Sequence, residues 1–110
     1  MLKTYKLKWT QNAKSDLLNI VEYIKRDSPS IAKEIYLKIK KQAQSSNFFP
    51  LKGRVVPELQ KEGITLYREV ITSPWRIIYK VGNDTVYIMA IIDSRQNVEE
   101  LLLQKLLGAR

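Results

Sequence analysis

Two spacings of apolar residues divide the chain into segments. Residues 3–9 alternate, with Tyr5, Leu7 and Trp9 on one side and Lys6 and Lys8 on the other. That pattern predicts a half-buried strand with a basic outer face, and exposed lysines suit a sheet edge. Ala13, Leu17, Ile20, Val21 and Ile24 then recur at helical spacing. A helix is predicted from about Gln11 to Arg26, with Thr10 as its N-cap. Asp27-Ser28-Pro29-Ser30 interrupts it. Ser28 is placed to cap a second helix that has Pro29 at its first position, where a missing N–H costs nothing. Ile31, Ala32, Ile35, Tyr36, Ile39 and Ala43 form its apolar stripe, and Lys33, Lys38, Lys40 and Lys41 fall mostly off it. The short connection predicts an antiparallel helical hairpin, which must bury its stripes against a sheet.

Residues 45–59 have no period and are punctuated by Pro50, Gly53 and Pro57. They are too apolar for a flexible linker. An ordered crossing segment is expected, packing Phe48, Phe49, Val55 and Leu59 onto the core, with a turn at 60–63. A strand is predicted from Ile64 to Ile71, then a turn at Thr72-Ser73-Pro74. In the next strand Trp75, Ile77, Tyr79 and Val81 face one side, and Arg76, Ile78 and Lys80 the other. Gly82-Asn83-Asp84 supplies a hairpin turn. Val86 to Ile92 is almost wholly apolar, as in a strand covered on both faces. Asn97 and Glu100 form a capping box for a helix from Val98 to Leu107, ending at Gly108. The order is β-α-α-β-β-β-α. It predicts one α+β domain over residues 1–110: an antiparallel sheet of about four strands with the N-terminal helical hairpin packed on one face. All helices are expected on that face.

Composition narrows the chemistry. The 110 residues contain neither cysteine nor histidine. A thiolate zinc site, a histidine base and Ser-His or Cys-His nucleophiles are excluded, so no metal and no cofactor are expected. Any catalysis would rest on Lys, Arg, Tyr or carboxylates. No apolar run reaches transmembrane length, and the lysine-rich start lacks the apolar core of a signal peptide. A cytoplasmic location away from membranes is expected. The formal net charge is +8, and residues 1–54 carry all of it, with twelve Lys and Arg against four Asp and Glu. Such a field attracts nucleic acid or an acidic protein.

Particular residues extend the picture. They are Trp9-Thr10, Ala13, Asp16-Leu17, Tyr23-Ile24, Pro50, Gly53-Arg54-Val55-Val56-Pro57-Glu58-Leu59, Tyr67-Arg68-Glu69-Val70, Trp75-Arg76-Ile77-Ile78-Tyr79 and Ile91-Ile92-Asp93-Ser94-Arg95-Gln96-Asn97. In this order the chain resembles toxins of the RelE/ParE superfamily, the small basic proteins of bacterial type II toxin–antitoxin modules. The resemblance implies a cognate antitoxin with an acidic, partly disordered segment. It also implies one of two activities. RelE-like members are ribosome-dependent mRNA endoribonucleases, whereas ParE-like members inhibit DNA gyrase by binding. A basic binding module without toxicity is a third reading.

On the ribonuclease reading Arg76 matches the strand arginine that contacts the scissile phosphate, and Arg68, Arg95, Lys52 and Arg54 would add positive charge. Three positions depart from that pattern. Val70 stands where a second strand lysine belongs, leucines 101–103 replace a C-terminal tyrosine, and Asp93 occupies the place of a histidine used by some members. The GRVVPEL and YREV stretches look more like ParE-type sequences. Arg76 has a structural alternative, pairing with Glu69 or Glu58. Arg95 likewise has one, neutralising Asp93.

Overall fold

Short polar side chains set the helix boundaries. The computed structural model describes residues 4–46 and 50–107. After β1 (Lys6–Trp9), the Thr10 hydroxyl accepts from Ala13 N at 3.2 Å and opens α1 (Gln11–Lys25). Ser28 does the same for Ile31 N, and Pro29 begins α2 (Pro29–Ser45). Then come β2 (Arg54–Val55), α3 (Pro57–Gln60), β3 (Tyr67–Thr72), β4 (Trp75–Val81) and β5 (Thr85–Asp93). Asn97 caps α4 (Val98–Leu106) by accepting from Glu100 N at 3.2 Å.

The strands form one sheet in the order β1-β5-β4-β3-β2. β2, β3, β4 and β5 pair antiparallel, but β1 runs parallel to β5. The expected antiparallel sheet of about four strands is therefore a mixed sheet of five. Alternation identifies a strand without fixing its direction, and β2 is too short to alternate at all. β1 does lie at an edge, with Lys6 and Lys8 exposed. β3 starts at Tyr67 and not at Ile64, because Ile64 N donates to Leu59 O and closes α3 instead.

Both faces of the sheet are covered. Ala13 and Leu17 of α1 and Ile39 and Ala43 of α2 pack on Val70, Trp75, Ile77, Tyr79, Val86, Ile88 and Ile91. On the other face Val56, Leu59 of α3 and Leu102 of α4 pack on Tyr67, Ile78, Ala90 and Ile92. Helices on one face only was thus a wrong expectation. The doubly apolar β5 needs cover on both sides, and α4 supplies it. On α2 the inward arc centres on Ala32, Ile35, Ile39 and Ala43; Ile31 and Tyr36, expected in the stripe, flank it and are 50% and 39% exposed. Phe48, Phe49 and Gly108 lie outside the described residues.

One irregularity organises the junction of α1 and β5. The β4–β5 register slips between Ile78 and Tyr79, so that Ile78 pairs with Ala90 and Tyr79 with Ile88, leaving Met89 over. A bulge frees backbone groups that must find other partners. The N-terminal turns of α1 provide them. Thr10 donates its hydroxyl to Ile88 O at 2.9 Å, Asn12 donates its amide to Met89 O at 2.9 Å, and Ile91 N donates to the Asp16 carboxylate at 2.9 Å. Asp16 is buried and also receives the ammonium of Lys105, which ties α4 to the same point. Replacing Asp16 by alanine strands a buried N–H and a half-buried ammonium together. Urea unfolding of Asp16→Ala is expected to show a loss of about 2–4 kcal/mol; a loss below about 0.5 kcal/mol, the range of ordinary surface substitutions, would contradict the clamp.

Candidate functional site

Arg76 emerges from the central strand β4 on the face covered by α3 and α4. Its cross-strand neighbours are Ile71 of β3 and Ile92 of β5. Only 6% of the residue is exposed. Its guanidinium donates through Nε to Glu69 at 2.6 Å, and through Nη1 and Nη2 to the two oxygens of Glu58 at 2.8 and 2.6 Å. Three of its five N–H groups are thereby committed, two of them in the fork geometry that favours carboxylates. The side chain of Glu69 has no exposed surface and also accepts from Arg54 Nε at 2.6 Å. Two guanidiniums and two carboxylates thus form a neutral network joining β2, α3, β3 and β4.

The network changes the acid–base properties of its members. The hydrogen bonds from Arg76 outweigh partial burial at Glu58 and lower its pKa from 4.5 to about 2. Those same bonds hold Arg76 above its usual value. Arg76 is therefore a fixed cation, unable to exchange protons near neutrality, facing the carboxylates of Glu58 and Glu69.

The other sequence candidates are dispersed. Arg68 follows the strand alternation onto the opposite face from Glu69 and donates to Gly53 O at 2.8 Å. Gly53 N donates to the buried hydroxyl of Tyr79 at 2.9 Å, and that hydroxyl donates to Pro50 O at 2.7 Å. The turn at 50–53 is thereby pinned to the sheet. Only glycine fits there, since a Cβ on Gly53 would lie 2.4 Å from Glu69 O and 2.5 Å from the Tyr79 hydroxyl. Lys52 is exposed on that turn. Arg95 lies beyond the end of β5 and bonds Asp93 at 2.9 and 2.6 Å, which lowers the Asp93 pKa. Only Arg76 and Arg54 come together, and they meet around a carboxylate.

Residues 7–98 match the family described as the ParE toxin of the type II toxin–antitoxin system parDE. This chain belongs to that family. It is also similar to Toxin RelE2 of Caulobacter vibrioides, at 34% identity over 83 residues, 76% of this chain and 88% of that one. Its fold resembles the chromosomal ParDE toxin–antitoxin system of P. aeruginosa, with a TM-score of 0.69 at 21% identity over 82% of this chain and 96% of the other. It likewise resembles the toxin–antitoxin complex RelBE2 of Mycobacterium tuberculosis, with a TM-score of 0.58 at 18% identity over 84% and 94%. The protein is a type II toxin of the RelE/ParE superfamily. No helix among the described residues is long and apolar enough to cross a membrane.

Sequence reasoning named Glu58 and Glu69 as possible partners of Arg76, but not that both act at once with Arg54 closing the set. It missed Asp16 and the Tyr79 hydroxyl as anchors. Their only signal was their place among the residues carrying the family resemblance. Because the folded pKa of Glu58 lies below its unfolded value, its contribution is complete above about pH 5 and fades as pH falls toward 2. Glu58→Gln is expected to cost on the order of 2–3 kcal/mol at pH 7, with the gap to the parent closing over that window. Urea titrations of both proteins from pH 7 to 2 check this, and a gap independent of pH would contradict it.

Proposed function

We propose that this toxin inhibits DNA gyrase by binding it, cleaves no RNA, and is neutralised by a cognate antitoxin with an acidic, partly disordered segment. One observation carries the reading. Arg76, the group on which phosphate chemistry would depend, is buried and bonded to Glu58 and Glu69. Transition-state stabilisation requires cationic groups aimed at the developing charge. A phosphate approaching this guanidinium would instead meet two carboxylates. Val70 and the leucines of α4 supply no proton-transfer group in place of the missing lysine and tyrosine. A protein that acts by binding needs none. The two solved relatives, a ParDE system and a RelBE2 complex, support an antitoxin as partner.

The second reading, a ribosome-dependent mRNA endoribonuclease, is favoured by the likeness to Toxin RelE2. Arg54, Arg68, Arg95 and Lys52 would then have to gather around substrate with Arg76 released from its carboxylates. A non-toxic basic binding module is the remaining alternative. Two assays separate these outcomes: gyrase supercoiling in the presence of purified toxin, and mRNA cleavage on translating ribosomes. Supercoiling is expected to stop while the mRNA stays intact. Cleaved mRNA with unaffected supercoiling would overturn the proposal in favour of the ribonuclease, and inactivity in both, with normal growth on expression, in favour of the non-toxic module.

A further inference from the structure

The face of the sheet that carries α3 and α4 is left open at one end. Lys8 of β1 alternates with Leu7 and Trp9, Lys80 of β4 with Tyr79 and Val81, and Tyr87 of β5 with Val86 and Ile88. Those alternate residues all pack toward the helical hairpin, so Lys8, Lys80 and Tyr87 point the other way. On that side α3 and α4 cover Tyr67, Ile78, Ala90 and Ile92, while Lys80 and Tyr87 are half-buried and Lys8 is exposed. The register sets the three in one row, Lys8 opposite Tyr87 and Tyr87 opposite Lys80, with about 4.8 Å from strand to strand. Neither lysine has a carboxylate partner among the described residues. Lys80 instead lies over the Tyr87 ring, 5.6 Å from its centre. Lys6, two residues along β1 on the same side, adds a third ammonium, 3.9 Å from Asp84 with both side chains largely exposed.

We infer that this row binds single-stranded nucleic acid, with one unpaired base stacked on Tyr87 and the flanking phosphates on Lys8 and Lys80. An aromatic ring between ammonium groups on an open sheet face matches the alternation of base and phosphate along a strand. Lys80 covers the ring in the free protein; its flexible stem lets the ammonium swing to a phosphate when a base takes its place. A double helix keeps its bases stacked on one another and offers Tyr87 no face. An acidic peptide would use the lysines and leave the ring without a counterpart. Nothing in the row reads a base edge or a 2′-hydroxyl, so DNA and RNA strands are bound alike. The inference goes beyond the proposed inhibition of gyrase and does not rest on it.

The probe is fluorescent oligothymidylate of about twelve nucleotides, with oligouridylate of the same length beside it. Binding to the purified toxin is measured by anisotropy across a salt series from about 50 to 200 mM. A chain of this net charge attracts any polyanion, so the readouts that decide are the ring and the salt slope. Tyr87→Leu is expected to bind at least about fivefold more weakly and Tyr87→Phe, which keeps the ring, as the parent does. Lys8→Gln/Lys80→Gln is expected to flatten the slope of log affinity against log salt by about 1.4, two phosphate contacts on a single strand. The charge-matched control Lys33→Gln/Lys38→Gln, at exposed α2 positions, is expected to leave that slope within about 0.5 of the parent. Melting curves confirm that each variant is folded, and ring-proton shifts of Tyr87 in the parent report stacking without any substitution. The inference is overturned if those shifts are absent at saturation, if folded Tyr87→Leu binds as the parent does, or if the control pair flattens the slope as much as the sheet pair. A preference above about tenfold for either sugar would overturn it as well. So would an equal loss on Tyr87→Leu for a DNA duplex, or for a polyglutamate peptide, the latter in favour of an acidic protein segment.

Discussion

Two guanidiniums meet at Glu69, a carboxylate with no exposed side-chain surface inside this sheet. Desolvating one anion costs several kcal/mol, and close, well-aligned cations can offset that cost where water cannot. Arg76 in turn carries an excess of positive charge that Glu58 of α3 takes up. Arg76 and Glu69 are buried, and Glu58 and Arg54 reach them from partly exposed positions. Buried networks of this kind add little net stability compared with apolar packing, but they penalise any arrangement that leaves one partner out. The short helix α3 is thereby held to the face of the sheet where the superfamily's phosphate-contacting arginine would otherwise be available.

This constraint links packing to function. An arginine serves phosphate chemistry when its donors point at an open site, and serves folding when they point at carboxylates. One residue at one strand position cannot do both with the same N–H groups. Here Glu58 and Glu69 take three of them. The remaining positive charge lies largely on the helical hairpin and β1, where Lys8, Lys14 and Lys40 border the exposed side chains of Leu18 and Tyr36.

Much of this was legible in the chain. Thr10, Ser28 and Asn97 announced the helix starts through local hydroxyl and amide chemistry, which needs no tertiary context. The alternation of β4 correctly separated Trp75, Ile77 and Tyr79 from Arg76 and Ile78. Less legible were features set by distant partners. β2 exists because β3 is beside it, and α3 because Glu58 has Arg76 to bind and Ile64 N closes back on Leu59 O. The parallel pairing of β1 leaves no periodic trace. Asp16 reads as a polar residue on an apolar face until the bulge at Met89 shows what it satisfies. At the candidate site the residue types were visible. Whether Arg76 faced substrate or carboxylate was decided in three dimensions.

The central claim, that Arg76 acts by pairing and not by touching a phosphate, is tested most directly by a double-mutant cycle on Arg76 and Glu58. Urea unfolding of the parent, Arg76→Ala, Glu58→Ala and the double variant is combined with growth arrest on expression of each. The account predicts a coupling energy of roughly 2 kcal/mol or more, with growth arrest following the fraction of folded protein. A coupling near zero, with Arg76→Ala folded as well as the parent yet unable to arrest growth, would contradict it.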